Sequence, residues 1–189
     1  MIIQTDDLHK KFGKHEALNG LSLSVPEGSA FAFIGANGAG KTTTIKILMN
    51  LLTASRGSAT VLGVDTHKLS PRELAKIGYV SENQELPKPM TVGQYLDYLR
   101  PFYPSWDQQL EVALLQQLAL PTDRRIGDLS RGMRMKMLLL CAMAFRPKLL
   151  VLDEPFGGLD PLIRDEFMHQ VFANAGEMTV FISSHDLAE

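Results

Sequence analysis

Apolar residues recur along this chain in two rhythms, and the order in which the rhythms alternate predicts its elements. Near the start, the stretch 2–8 and the alternation of Leu21, Leu23 and Val25 with serines read as short strands broken by turns. Pro26, Glu27 and Gly28 then turn the chain into an unbroken apolar run, AFAFI at 30–34. Over 43–52 the spacing becomes helical, with Ile45, Leu48, Met49 and Leu52 at i, i+3, i+4 and i+7. Within 53–63, Arg56 and Gly57 mark a turn ahead of a strand at 59–62. Ser70, Pro71, Arg72 and Glu73 carry the cap, proline and acid of a helix start, and 77–80 is another strand.

Residues 81–89 are polar, with two prolines, and read as a loop into a different module. There Val92, Tyr95, Leu96 and Leu99 share one helical face and Leu110, Ala113, Leu114 and Leu118 another. Thr91 caps the first helix, and Pro101, Pro104 and Trp106 fill the connection. Met135, Leu138, Leu139 and Ala142 form one further apolar stripe, whose methionines read as core fillers. A fully apolar strand at 149–152 ends in Asp153 and Glu154; Asp160 and Pro161 open a helix that Gly176 closes; the last strand, 179–183, finishes at Ser184 and His185. The prediction is an α/β frame in one domain spanning 1–189, with residues from 86 to about 145 inserted as a helical subdomain.

Bulk properties narrow the picture. A chain of 189 residues supports one sizeable core, or one core with a smaller subdomain attached. With 21% charged residues, scattered basic positions and a net charge of −2, no nucleic-acid surface is expected. The single cysteine, Cys141, lies in an apolar helical stretch and reads as a buried small hydrophobe, consistent with a reducing compartment. The longest apolar run, 137–145, is too short to cross a bilayer, and the start MIIQTDDLHKKFG lacks a signal-peptide pattern. The chain is therefore expected to be soluble and cytoplasmic, reaching a membrane only by docking on another chain.

The candidate chemistry centres on GANGAGKT at 35–42, which fits the phosphate-loop pattern G-x-x-x-x-G-K-[ST] and lies between an apolar strand and a helix. A triphosphate is held by backbone N–H groups, so Gly35, Gly38 and Gly40 remove side chains that would obstruct its approach. Asn37 and Thr43 complete the expected nucleotide contacts, Lys41 reaches the β and γ oxygens, and Thr42 offers its hydroxyl to Mg²⁺. An Asp ending a buried strand needs a partner, and Mg²⁺ on phosphate supplies one for Asp153. Glu154 is then placed to polarise water, the alternative being that the paired acids cap a helix or face solvent. His185 ends a second apolar strand; in a parallel sheet both strand ends share one edge, where the histidine either donates to the γ-phosphate or is structural. Phe12, flanked by lysines in HKKFGK, either half-buries on a sheet or offers a flat surface to a base.

The ordered set GANGAGKT, LSRGM, LLVLDEP, GGLD and SSH resembles the nucleotide-binding domain of ATP-binding cassette (ABC) transporters, over nearly the whole chain. The resemblance implies a P-loop NTPase core with a mostly parallel sheet, an N-terminal antiparallel β subdomain and an inserted α-helical subdomain. It implies that Phe12 stacks on adenine, that Lys41 and Thr42 contact phosphate and Mg²⁺, that Glu154 is the catalytic glutamate and that His185 is the switch histidine. Ser130 and Gly132 of the signature would close over ATP held by a second nucleotide-binding subunit, with Asp160 in the loop crossing that interface. A separate transmembrane permease subunit would convert dimer closure into transport; the loop after Val80 and the aromatics Tyr95, Tyr98, Phe102 and Tyr103 either dock it or pack the helical subdomain.

Three departures matter. Glu82 occupies the position where the family usually has a metal-approaching glutamine, with Gln84 close by. The signature has Arg131 for glycine and Met133 for glutamine, a form similar to that of export systems. The family also continues past the switch histidine, so the resemblance implies a missing C-terminal end, whose loss would expose apolar surface and weaken closure. A soluble ATPase that remodels a protein or nucleic-acid complex is the alternative function; no coiled coil or second cassette supports it.

Overall fold

The computed structural model describes residues 1–157 and 159–185. Strands β1 (Ile3–Phe12) and β2 (His15–Val25) form an antiparallel hairpin closed by Gly13 and Lys14. The hairpin is longer than apolar alternation predicts, because the polar run around Phe12 continues the ladder to the Phe12–His15 pair. Register shifts between Thr5 and Lys11, with Asp7 at φ 44°, break the alternation that marks a strand in sequence. On the other side of β1 lies β4 (Arg56–Val61), and β5 (Val64–Asp65) completes the order β2-β1-β4-β5. Arg56 and Gly57 thus belong to a strand, where a turn was expected. Gly57 sits at φ 85°, and a Cβ there would fall 2.6 Å from the Asp6 carbonyl, so glycine lets β4 press on the irregular part of β1.

The second sheet is wholly parallel: β3 (Ala30–Ile34), β8 (Thr179–Ser184), β7 (Leu149–Asp153) and β6 (Ile77–Ser81), in that spatial order. Its register aligns Ser81 with Asp153, Asp153 with Ser183, and Ile34 with Ser184, so four strand ends form one row. β7 is buried on both faces, as its unbroken apolar run requires. Leu149 and Val151 enter a core shared with Ile3, Val61, Ile45 and Leu48, whereas Leu150 and Leu152 enter one shared with Val180, Leu139 and Phe167. A one-residue slip would exchange the two sets.

Helices α1 (Lys41–Leu48), α2 (Pro71–Leu74), α3 (Val92–Leu99), α4 (Gln108–Gln117), α5 (Arg131–Met143) and α6 (Pro161–Ala173) complete the described fold. α1 stops short of Leu52: Asn50 takes φ 55°, and the Leu51 and Leu52 N–H groups turn back to the Lys46 carbonyl. α2 and α3 begin with reciprocal capping boxes, Ser70 with Glu73 and Thr91 with Gln94. α5 carries more than the single stripe expected, since Met137, Leu140 and Met143 are buried as well. It is wedged between β6, α3, α4 and α6, and a helix covered on several sides is apolar on several sides.

Cys141 is only partly buried. With Tyr95, Leu99 and Tyr103 it lines a groove of about 320 Å³, whose other wall is Met49, Leu51, Leu74 and Tyr79. Burial pushes its thiol up to about 12, so it is un-ionised at neutral pH. Tyr103 stacks on Phe145 at 4.2 Å, whereas Tyr98 and Phe102 meet at 5.3 Å and are mostly exposed. Among the described residues no helix is long and apolar enough to cross a membrane.

The helical part is pinned by Glu111, a buried carboxylate that accepts from Arg100 Nε at 2.8 Å, Arg100 Nη2 at 2.6 Å and Trp106 Nε1 at 2.7 Å. Burial alone would raise its pKa, but the Arg100 and Trp106 hydrogen bonds hold it below the ordinary glutamate value. The unfolded chain therefore takes up the proton first, and this contribution to stability is complete at neutral pH and lost as pH falls through the lowered folded value. Urea titrations of Glu111→Gln at pH 7 are expected to show a loss of about 1–3 kcal/mol. The difference from the wild-type chain should shrink as the pH is lowered below the ordinary glutamate range.

Candidate functional site

The loop from β3 to α1 is tethered where the Gly35 N–H donates to the Ser184 carbonyl at 3.1 Å. Gly40 ends it at φ 91°, and a Cβ there would lie 2.5 Å from both the Ala17 carbonyl and Leu18 Cδ2. Only glycine allows α1 to begin so close to β2. Gly38 sits at φ 83° beside open space, so the approach to the first N–H groups of α1 is clear.

Lys41 is almost wholly buried, and its Nζ donates to the carbonyls of Gly35 and, at 3.1 Å, Ala36. It also meets Glu154 Oε1 at 3.0 Å, while His185 Nδ1 lies 2.8 Å from Glu154 Oε2. Glu154 reaches both because it leaves β7 at φ 49°, a left-handed conformation that is strained for a glutamate. Burial raises the Glu154 carboxyl, but the hydrogen bonds from His185 and Lys41 outweigh it and hold the group below its ordinary value.

Asp153 occupies a different environment. It is buried; its Oδ1 accepts from Thr42 Oγ1 at 3.2 Å and from Ser183 Oγ at 2.9 Å, and it has no cationic partner among the described residues. A buried carboxylate without a counter-charge, next to a second hard oxygen, fits Mg²⁺. Among the described residues no three His, Cys, Asp or Glu side chains converge as a metal site, and Thr42 and Asp153 are the side chains here that would hold one. Ser183 also accepts from the Glu154 N–H at 3.0 Å and thereby joins the two acids. In the sequence SSH points to its histidine alone and not to this serine, because only the β7–β8 register brings Ser183 opposite Asp153.

Phe12, His15, Asn37, Gly38, Thr43 and Lys41 line a cleft of about 300 Å³ that Glu154 also borders. Phe12 ends β1 and keeps 48% of its surface exposed, with Lys10 Nζ 5.0 Å from its ring centroid. Gly35 does not line this cleft, and neither do the three expected contacts near α5 and α6. Ser130 caps α5 by accepting from the Met133 N–H, Asp160 caps α6 by accepting from the Leu162 N–H, and Gly132 packs on Ile163 so closely that a Cβ would lie 2.9 Å from its Cδ1. They form a second group, at the adjoining N-termini of α5 and α6. Glu82 is drawn to Arg131, with no hydrogen bond or ion pair to Thr42 or Asp153 among the described residues.

Comparison with known proteins identifies the family and the fold. The ABC transporter family model matches residues 18–157. The bacitracin transport ATP-binding protein BcrA of Bacillus licheniformis is 33% identical over all of this chain and 63% of its own length. The daunorubicin resistance ATP-binding protein DrrA2 of Streptomyces coeruleorubidus is 35% identical over 99% of this chain and 60% of its own length. The sulfate/thiosulfate import ATP-binding protein CysA of Salmonella typhi is 33% identical over all of this chain and 55% of its own length. A solved ATP-binding subunit of an ABC transporter superposes with a TM-score of 0.88 at 27% identity, over all of this chain and 81% of that one. The chain spans about three fifths of the length of these curated relatives. With its phosphate loop, signature segment and paired acids arranged on this fold, the chain belongs to the ABC transporter family, as an ATP-binding cassette.

Proposed function

We propose that the chain binds and hydrolyses ATP with Mg²⁺ as one of two cassettes beneath a separate permease subunit, in an export-type system. The observation that carries the reading is the meeting of Lys41, Glu154 and His185 at the glycine loop, beside the Thr42–Asp153 pair. Lys41 exchanges the Gly35 and Ala36 carbonyls for phosphate oxygens, which also receive the N–H groups that open α1. Thr42 and Asp153 would hold Mg²⁺, which would supply neutralisation of phosphate charge. Glu154, which His185 orients, accepts the proton of the attacking water. Phe12 stacks on the adenine.

Two cassettes are favoured by the separation of Ser130, Gly132 and Asp160 from the Lys41 cleft. Two copies facing head to tail would bring the α5 N-terminus of each to the phosphates held by the other. The groove between Met49, Leu51 and Leu74 on one side and Tyr95, Leu99 and Tyr103 on the other supports docking of a permease segment, which would hold the chain at the inner face of the membrane. Export is favoured by Arg131 and Met133 in LSRGM and by the bacitracin and daunorubicin relatives; identity alone does not separate these from the sulfate/thiosulfate import protein.

Glu154→Gln is expected to lower ATP turnover about 10²–10⁴-fold while ATP binding persists. In size-exclusion chromatography with light scattering this variant should run as a dimer with Mg-ATP and as a monomer without it. A variant that hydrolyses ATP as fast as the wild type would remove Glu154 from the chemistry. Lys41→Ala should weaken ATP binding about 10- to 100-fold in a fluorescence titration, the value of a charge-assisted hydrogen bond. Unchanged affinity would mean that phosphate does not reach the loop.

A further inference from the structure

Glu82 stands one residue beyond Ser81, whose register partner is Asp153, so it leaves the sheet next to the row of strand ends that holds the paired acids. One of its carboxylate oxygens pairs with Arg131 Nη2 at the start of α5. The other lies flush on the turn after β7 and leaves no room for a Cβ at Gly157. Three segments therefore meet at one carboxylate. They are the exit of β6, the turn leading to Asp160, and the N-terminus of α5 with Ser130 and Gly132. The two members of the pair carry complementary charges.

We propose that Arg131 and the magnesium of a bound nucleotide are alternative partners of the Glu82 carboxylate, so that taking up Mg-nucleotide releases the N-terminus of α5. The inference rests on the ATP-binding reading above. A carboxylate is a hard oxygen ligand of the kind Mg²⁺ takes, and the pair it must leave is weak. The Glu82 and Arg131 side chains keep 29% and 46% of their surface in solvent, where screening makes ion pairs easy to exchange. Exchange couples the cleft to the signature segment, and linkage makes the coupling reciprocal: whatever draws Arg131 away also raises the affinity of Glu82 for the metal. Arg131 is thus a positioning residue that acts through Glu82.

The test titrates MgCl₂ against the full chain at a fixed, low concentration of a fluorescent ATP analogue, with binding in EDTA as the reference. Arg131→Ala is expected to lower the Mg²⁺ concentration for half-maximal binding about three- to fivefold, the factor a half-exposed ion pair supplies. Glu82→Gln should raise it. In the double variant, removing the arginine should have no further effect, because its only route is through Glu82. Arg131→Lys, which keeps the charge, should stay within about twofold of the wild type. The exchange is overturned if Arg131→Ala leaves the midpoint unmoved, or moves it equally with Glu82 and with Gln at that position. Failure of the wild type to bind the analogue at any MgCl₂ concentration would instead remove the ATP-binding reading, and the exchange with it.

Discussion

The register of the parallel sheet is the constraint on which the rest depends. The phosphate loop, Glu154, the histidine and Glu82 lie far apart in sequence, and each follows the last residue of a different strand. They become neighbours only because β3, β8, β7 and β6 run the same way and end in one row. That row is fixed by packing. Alternate residues of β7 and β8 enter opposite cores, so sliding either strand by one position would expel Leu150, Leu152 or Val180 from among α5 and α6 and turn Asp153 away from Thr42. The geometry of the site is a consequence of where leucines and valines are buried.

The same row concentrates negative charge, and the fold gives each acid a different partner. Asp153 has two hydroxyl donors and no cation among the described residues, Glu154 has Lys41 and His185, and Glu82 has Arg131. The differences decide what each can do. A buried carboxylate bound only by hydroxyls retains its attraction for a divalent cation, whereas one already paired with an ammonium and an imidazole stays ionised without one. The strained backbone of Glu154 makes this division possible, because a regular continuation of β7 would point adjacent side chains to opposite faces of the sheet.

What the sequence made legible was local. The strand–loop–helix around Lys41, the caps at Ser70 and Thr91, and the fully buried β7 each announce themselves within a few residues, and the fold class follows from their order. What it concealed needed a partner strand or helix. Gly57 reads as a turn until β1 is seen to press on it, and the polar run before Gly13 reads as a loop until β2 pairs with it. α5 shows one apolar stripe to a period count, although it is buried on several sides. The contacts of Ser183 with Asp153 and of Arg131 with Glu82 stay hidden for the same reason, since each joins residues distant in sequence.

Internal pairing of the cationic groups also sets how binding and motion are connected. Lys41 is already held by two carbonyls and a carboxylate, so a phosphate that takes it gains only the difference between the new partners and the old. Affinity is therefore lower than a sum of contacts, and part of the interaction goes into freeing Glu154 from Lys41. On the proposed function a freed Glu154 would keep its hydrogen bond to His185 and its backbone link to Ser183, and so would remain aimed at the cleft with its charge available to water. On the proposed reading the ligand that must be cleaved is also the one that releases the base, which confines activation to the loaded site.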